Sequence, residues 1–161
     1  MSTNRFVRLI ETLCLHEVKY IVVGGVAAVL QRVPINTMDF DIVYARDAEN
    51  VQRLAAALAL LGTTHREHTS REVTEVELAL GATIHCRAGR LDLDLMTSVG
   101  ENESYADLLP ATDCLDVAGY RVEVLKLEKL IALKRAMSRP KDHLMLLQLE
   151  ATLEERERMR D

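Results

Sequence analysis

The chain has 161 residues, 48% of them apolar and 28% charged, with 20 Lys plus Arg against 25 Asp plus Glu for a formal net charge of −5. At roughly 100 to 200 residues per domain this reads as one globular domain, 1–161, too apolar to be disordered throughout and without the basic excess that accompanies nucleic-acid backbone binding. A local basic patch stays open, but 4% aromatic residues and no Trp leave little material for base-stacking platforms.

Phe6, Ile10, Leu13 and Cys14 recur on one stripe, which predicts a helix over about 3–17. The segment Met1 to Arg8 lacks the apolar core and cleavage site of a secretory signal, so a cytoplasmic protein is expected. Tyr20 to Val23 is a β-branched run ending at Gly24-Gly25, and Val26 to Leu30 has helix-forming alanines: strand, glycine turn, helix. The whole apolar run from Tyr20 to Leu30 is well short of the ~20 residues of a membrane span, so no membrane partner is expected.

Met38 to Tyr44 alternates as a strand carrying two acids. Asp47 is the N-cap of a helix whose face is Val51, Leu54, Leu58 and Leu61, with Gly62 just past its end. Thr63 to Arg71 is polar and loop-like. Val73 to Leu78, Ala82 to Arg87 and Arg90 to Met96 then read as successive strands of a small, largely antiparallel sheet, with Gly81 and Gly89 at turns. Leu115 to Val124 suits a hairpin around Ala118-Gly119. Two helices close the chain, Lys126 to about Met137 and Lys141 to about Met159, and the charged tail Glu154 to Asp161 is expected to be solvated or frayed. Cys14, Cys86 and Cys114, odd in number and without ligand spacing, read as buried small apolar residues.

Residues two apart in a strand share a face, so Asp39 and Asp41 project side by side. Adjacent carboxylates repel, and unless solvated or protonated they call for a cation; Mg²⁺ suits one or two carboxylates plus substrate phosphates. The alternative is an exposed strand face solubilised by acids. Asp92 and Asp94 repeat the arrangement on a later strand, where one carboxylate in reach of the first pair would serve as general base for an attacking hydroxyl. Gly24-Gly25, between strand and helix, is either a close-approach loop for a phosphate or a plain tight turn. On a helical wheel Lys134 falls among Leu127, Leu130 and Ile131, the apolar stripe, where a lysine is costly unless paired with Asp142 or placed at a site. His65 and His68 lack a ligand partner at the right spacing and read as surface residues, and His85 has no surrounding triad pattern.

An apolar residue, Gly24-Gly25, thirteen residues and then Asp39-Phe40-Asp41-Ile42 resembles the signature of the polymerase-beta-like nucleotidyltransferase superfamily. Asp94 in Asp94-Leu-Met-Thr looks like that family's third carboxylate, with Asp92 in reserve. The stretches Leu127 to Ala136 and Arg139-Pro-Lys-Asp142 are similar to small bacterial nucleotidyltransferases of the AbiEii toxin type.

The resemblance implies an α/β (α+β) nucleotidyltransferase fold: a small mixed sheet with helices mainly on one face (1–124) and a C-terminal helical pair (125–161). It implies transfer of a nucleoside monophosphate from an NTP such as ATP to an acceptor hydroxyl, dependent on Mg²⁺ (or Mn²⁺). Asp39, Asp41 and Asp94 would hold the metal and carry catalysis, with Asp94 activating the acceptor. Gly24, Gly25, Lys134 and Asp142 would bind the nucleotide, Asp142 by orienting Lys134 toward the triphosphate. The acceptor is read as RNA or protein, within a toxin-antitoxin-type module, and so short a chain leaves room for a cognate partner protein to complete the site. A scaffold that keeps the fold and works only by binding, as an antitoxin-like module, is the reading of a different class.

Overall fold

The computed structural model describes residues 2–137 and 139–160. In chain order the elements are α1 (Ser2–Leu15), β1 (Tyr20–Val23), α2 (Gly24–Leu30), β2 (Asp39–Tyr44), α3 (Ala48–Leu60), β3 (Thr64–His65), α4 (Glu75–Leu80), β4 (Ile84–Ala88) and β5 (Leu91–Met96). There follow β6 (Ser98–Val99), β7 (Glu103–Ser104), α5 (Tyr105–Leu108), a 3₁₀ turn at Leu109–Ala111, β8 (Thr112–Val117), β9 (Tyr120–Leu125), α6 (Leu127–Arg135) and α7 (Pro140–Arg160). Seven strands form one sheet in the order β3-β4-β5-β2-β1-β9-β8, and β6 with β7 forms a separate ribbon.

The sheet is mixed: β1 runs antiparallel to β2 but parallel to β9, and β2 runs parallel to β5. The residues from Tyr20 to Val23 are all buried, as a central strand covered on both faces requires. In β5 the alternation is strict, with Leu91, Leu93 and Leu95 buried and Asp92, Asp94 and Met96 on the other face. Phe40, Ile42 and Tyr44 extend the apolar face on β2, where Phe6 of α1 packs on Phe40 with ring centroids 5.5 Å apart. Leu9, Ile10 and Leu13 of α1 and Val51, Leu54 and Leu58 of α3 complete that side of the core. Asp47 caps α3 as its spacing predicts, accepting from the Asn50 amide.

The expected strand Val73 to Leu78 is instead the helix α4. Thr74 accepts from the Glu77 amide while the Glu77 carboxylate accepts from the Thr74 amide, a capping box that outweighs the β-branched run. The expected antiparallel middle sheet is also corrected: β4 and β5 are antiparallel, but β5 continues into the main sheet through a parallel pairing with β2. The polar stretch after Gly62 contributes the short edge strand β3. Cys86 is buried, Cys14 is half-buried and Cys114 is exposed, so only the first fits the expected burial.

The C-terminal helices α6 and α7 pack on each other, and Leu127, Leu130 and Ile131 of α6 are buried. The charged tail from Glu154 stays helical to Arg160, mostly in solvent; Asp161 and Met1 lie outside the described residues. No described helix is long and apolar enough to cross a membrane.

Candidate active site

The parallel register of β2 and β5 sets Asp39 opposite Asp92 and Asp41 opposite Asp94. On the far side of β5, β4 sets Arg87 opposite Asp92 and His85 opposite Asp94. Two polar rows therefore cross one face of the sheet. In the outer row Asp39 is exposed, and Asp92 accepts from Arg87 Nε at 2.8 Å. In the inner row Asp94 Oδ1 accepts from His85 Nδ1 at 2.7 Å and from Arg66 Nη2 at 2.9 Å. Asp94 rather than Asp92 thus stands beside Asp41.

Burial, then the neighbouring Asp94 charge and, more weakly, Asp39, push the Asp41 carboxyl up to about 7, while Lys134 pulls it down. Burial pushes Asp94 in the same direction, but hydrogen bonds from His85 and Asp41 and the Arg66 charge outweigh it and leave that carboxyl below its ordinary value. Asp41 Oδ1 is buried without a hydrogen-bond partner. Gly24 has φ +67, and a Cβ there would collide with Asp41 Oδ2; a Cβ on Gly25 would meet Thr37 Oγ1 at 2.5 Å. A side chain at either position would displace a neighbour, at Gly24 the Asp41 carboxylate itself.

A cavity of about 890 Å³ opens in front of Asp41, lined by Gly24, Asp41, Met96, Leu133, Lys134 and Arg139 among others. Lys134 Nζ donates to Asp142 Oδ1 at 2.9 Å; its side chain is 21% exposed and that of Asp142 only 2%. Arg139 Nε donates to the other oxygen at 2.7 Å. The Lys134 hydrogen bond, opposed by burial and aided by Arg139, holds the Asp142 carboxyl below its ordinary value. Lys134 therefore both pairs with Asp142 and faces the cavity. Asp39, Asp94, Gly25 and Asp142 do not line the cavity; Asp94 stands behind Asp41, its partner in the strand register.

Three site neighbours escaped the sequence reading. His85 has an acid partner in Asp94, which the alternation of Ile84-His85-Cys86-Arg87 hints at once β4 is registered against β5. Arg66 arrives from the segment after β3, and no local pattern marks it. Arg139 lies just before α7, three residues ahead of Asp142 in the helix's first turn, and in the sequence it stands out only as part of Arg139-Pro-Lys-Asp142, without a role of its own. His65, expected on the surface, is instead tied to Glu77 at 2.9 Å.

Mg²⁺ takes one or two carboxylates and completes its shell with phosphates and water. Among the described residues no group of three or more His, Cys, Asp or Glu side chains is arranged to hold a metal by itself. The unpartnered oxygen of Asp41, with exposed Asp39 two residues away on the same face, fits an ion that arrives with a phosphate ligand.

No protein-family model matches the chain, and no curated protein matches it. Solved structures do. A candidate nucleotidyltransferase from Thermotoga maritima aligns over 98% of this chain and 91% of its own, with a TM-score of 0.55 and 16% identity. The crystal structure of ANT(2″)-Ia in complex with adenylyl-2″-tobramycin aligns over 94% and 88%, with a TM-score of 0.62 and 15% identity. The solution structure of the same antibiotic-resistance factor covers 95% and 86%, with a TM-score of 0.60 and 14% identity. With a mixed sheet, a paired-carboxylate face and closing C-terminal helices, the chain has the nucleotidyltransferase fold.

Proposed function

We propose that the chain transfers a nucleoside monophosphate from an NTP to an acceptor hydroxyl and releases pyrophosphate. One observation carries this: Asp41 and Asp94 stand side by side, Asp41 packs against Gly24, and Gly24, Asp41 and Lys134 line one cavity. The acceptor oxygen attacks the α-phosphorus, the new P–O bond forms as the α–β bridging bond breaks, and the electron pair leaves on pyrophosphate. Asp94 takes the hydroxyl proton and passes it to solvent. Lys134, held by Asp142, and Arg139 meet the phosphate charge, so most of the rate comes from positioning and charge neutralisation. Mg²⁺ or Mn²⁺, held by Asp41 with Asp39, would neutralise the phosphate oxygens. We place the chain with small bacterial toxin-type nucleotidyltransferases acting on RNA or protein.

A binding-only role is favoured by one feature: Arg66 and His85 already occupy an oxygen of Asp94. Incubation with each α-³²P-labelled NTP and Mg²⁺ in cell extract, then separation of RNA from protein, tests the choice. Transfer should label one fraction and vanish in Asp41→Asn. Nucleotide binding with no labelled product in any fraction would establish the binding-only reading.

A further inference from the structure

A second cavity of about 380 Å³ lies beyond Asp94, lined by His65, Arg66, Glu67, His68, Thr83 and His85 among others. We propose that it is the acceptor subsite, and that it takes a compound whose reacting hydroxyl sits beside a phosphate group. The inference rests on the nucleotidyltransferase reading and adds to it the place and chemical class of the acceptor.

Position comes first. β5 lies between β2 and β4, so Asp94 has Asp41 on one side and His85 on the other. The larger cavity meets this pair at Asp41, and the smaller one meets it at His85 and Arg66, the two residues that bond Asp94. In phosphoryl transfer the attacking and leaving oxygens stand roughly in line across the phosphorus. With the triphosphate on the Lys134 side, pyrophosphate leaves through the larger cavity and the hydroxyl approaches from the smaller one. The volume suits one phosphorylated sugar or one terminal nucleotide.

Chemistry sets the class. The wall offers a guanidinium, three imidazoles and the Thr83 hydroxyl against one carboxylate, Glu67. Arg66 gives Nη2 to Asp94, while its Nε, 3.5 Å from Asp92 Oδ1, is buried without a hydrogen-bond partner. His85 Nδ1 is already taken up by Asp94 and His65 Nε2 by Glu77, so the donors left on this wall are Arg66 Nε, the His68 ring and the Thr83 hydroxyl. A polycationic amino sugar would meet the Arg66 guanidinium and carboxylates already engaged by Arg66, His85 and His65, whereas a phosphate would accept from the remaining donors. The wall is also fixed in advance: His65 is tied to Glu77, and the Arg66 amide donates to the His85 carbonyl at 3.0 Å.

The test uses the full chain, Mg²⁺ and an α-³²P-labelled NTP that raises its melting temperature. Acceptors are a sugar phosphate, a nucleoside 5′-monophosphate and an oligoribonucleotide with a free 3′ hydroxyl, beside the dephosphorylated sugar, the nucleoside and tobramycin. Label on the phosphate-bearing acceptors, at least tenfold above their dephosphorylated counterparts and tobramycin, supports the subsite; the free phosphates against the oligoribonucleotide tell which source it serves. His68→Glu, an exposed change in the wall, should raise the acceptor KM roughly tenfold, the loss of one hydrogen bond to a charged group. Its NTP-induced thermal shift should stay as in the parent chain. Equal labelling of tobramycin, or an acceptor KM unmoved by His68→Glu, overturns the proposal, as does an NTP-binding chain that labels none of these acceptors. A chain that no NTP stabilises overturns the nucleotidyltransferase reading itself.

Discussion

Asp41 is a residue under electrostatic tension, because burial and two neighbouring aspartates face it while Lys134 relieves it. Its folded value of about 7 lies above the 3.8 of a free carboxyl, so the native state binds more protons than the unfolded chain between those two values. Stability without ligand should therefore fall as pH rises from about 4 to about 7. Asp94 is shifted the other way, and its contribution is lost only below the ordinary carboxylate range, outside that window. Asp41→Asn should flatten the profile and stabilise the free protein at pH 8 by on the order of 1 to 4 kcal/mol, read from urea melts at pH 5 and pH 8. A variant less stable than the parent at pH 8 would mean that Asp41 is paired rather than strained. Lys134 is a different case, since Asp142 keeps Arg139 when the lysine is removed. Lys134→Met should leave the fold nearly unharmed and weaken NTP binding by tenfold or more, the size of one hydrogen bond to a charged group. Destabilisation with unchanged nucleotide affinity would reduce Lys134 to a structural partner of Asp142.

At the scale of elements, what the sequence revealed was whatever follows from local period. The Leu-Asp-Leu-Asp-Leu-Met run of β5, the capped and striped α3 and the hairpin of β8 and β9 each repeat at 2 or 3.6 residues and form as read. The parallel pairing of β2 with β5 is set by the crossover between them, which no window of a few residues contains; for the same reason Arg66 and the His85–Asp94 pair stayed hidden. The helix α4 is a miss of another kind, because Thr74-x-x-Glu77 was present as a signal but the β-branched Val73 and Val76 suggested a strand. That box has consequences beyond its helix, since Glu77 also receives His65 and Arg71, and their hydrogen bonds and charges hold its carboxyl below the ordinary value against burial. Thr74→Ala should cost about 1 kcal/mol, a drop of roughly 2 to 4 °C in melting temperature for a chain of this size. Differential scanning calorimetry reads it, and an unchanged midpoint would show that the Glu77 contacts fix α4 without its cap.

Over the whole molecule, the larger cavity joins two parts of the fold that the chain builds far apart. One wall is Gly24 and Asp41 from the centre of the sheet; the other is Lys134 and Leu133 from α6, which α7 braces. A ligand touching both walls binds only the folded arrangement and stabilises it by RT ln(1 + [L]/Kd), about 2.7 kcal/mol at a hundredfold excess over Kd. An NTP with Mg²⁺ should therefore raise the melting temperature by several degrees, with Mn²⁺ acting in place of Mg²⁺. Because Asp41 Oδ1 has no partner of its own, the ion should be needed to bring the phosphates against that carboxylate, and excess EDTA should remove most of the shift. Asp41→Asn should remove it as well while the free variant stays folded. Amide exchange should slow together in β2 and α6 when nucleotide and metal are both present, because a single ligand clamps the two walls. Slowing confined to α6, with the same shift in EDTA, would place the nucleotide on the C-terminal helices alone and separate the carboxylate face from nucleotide binding.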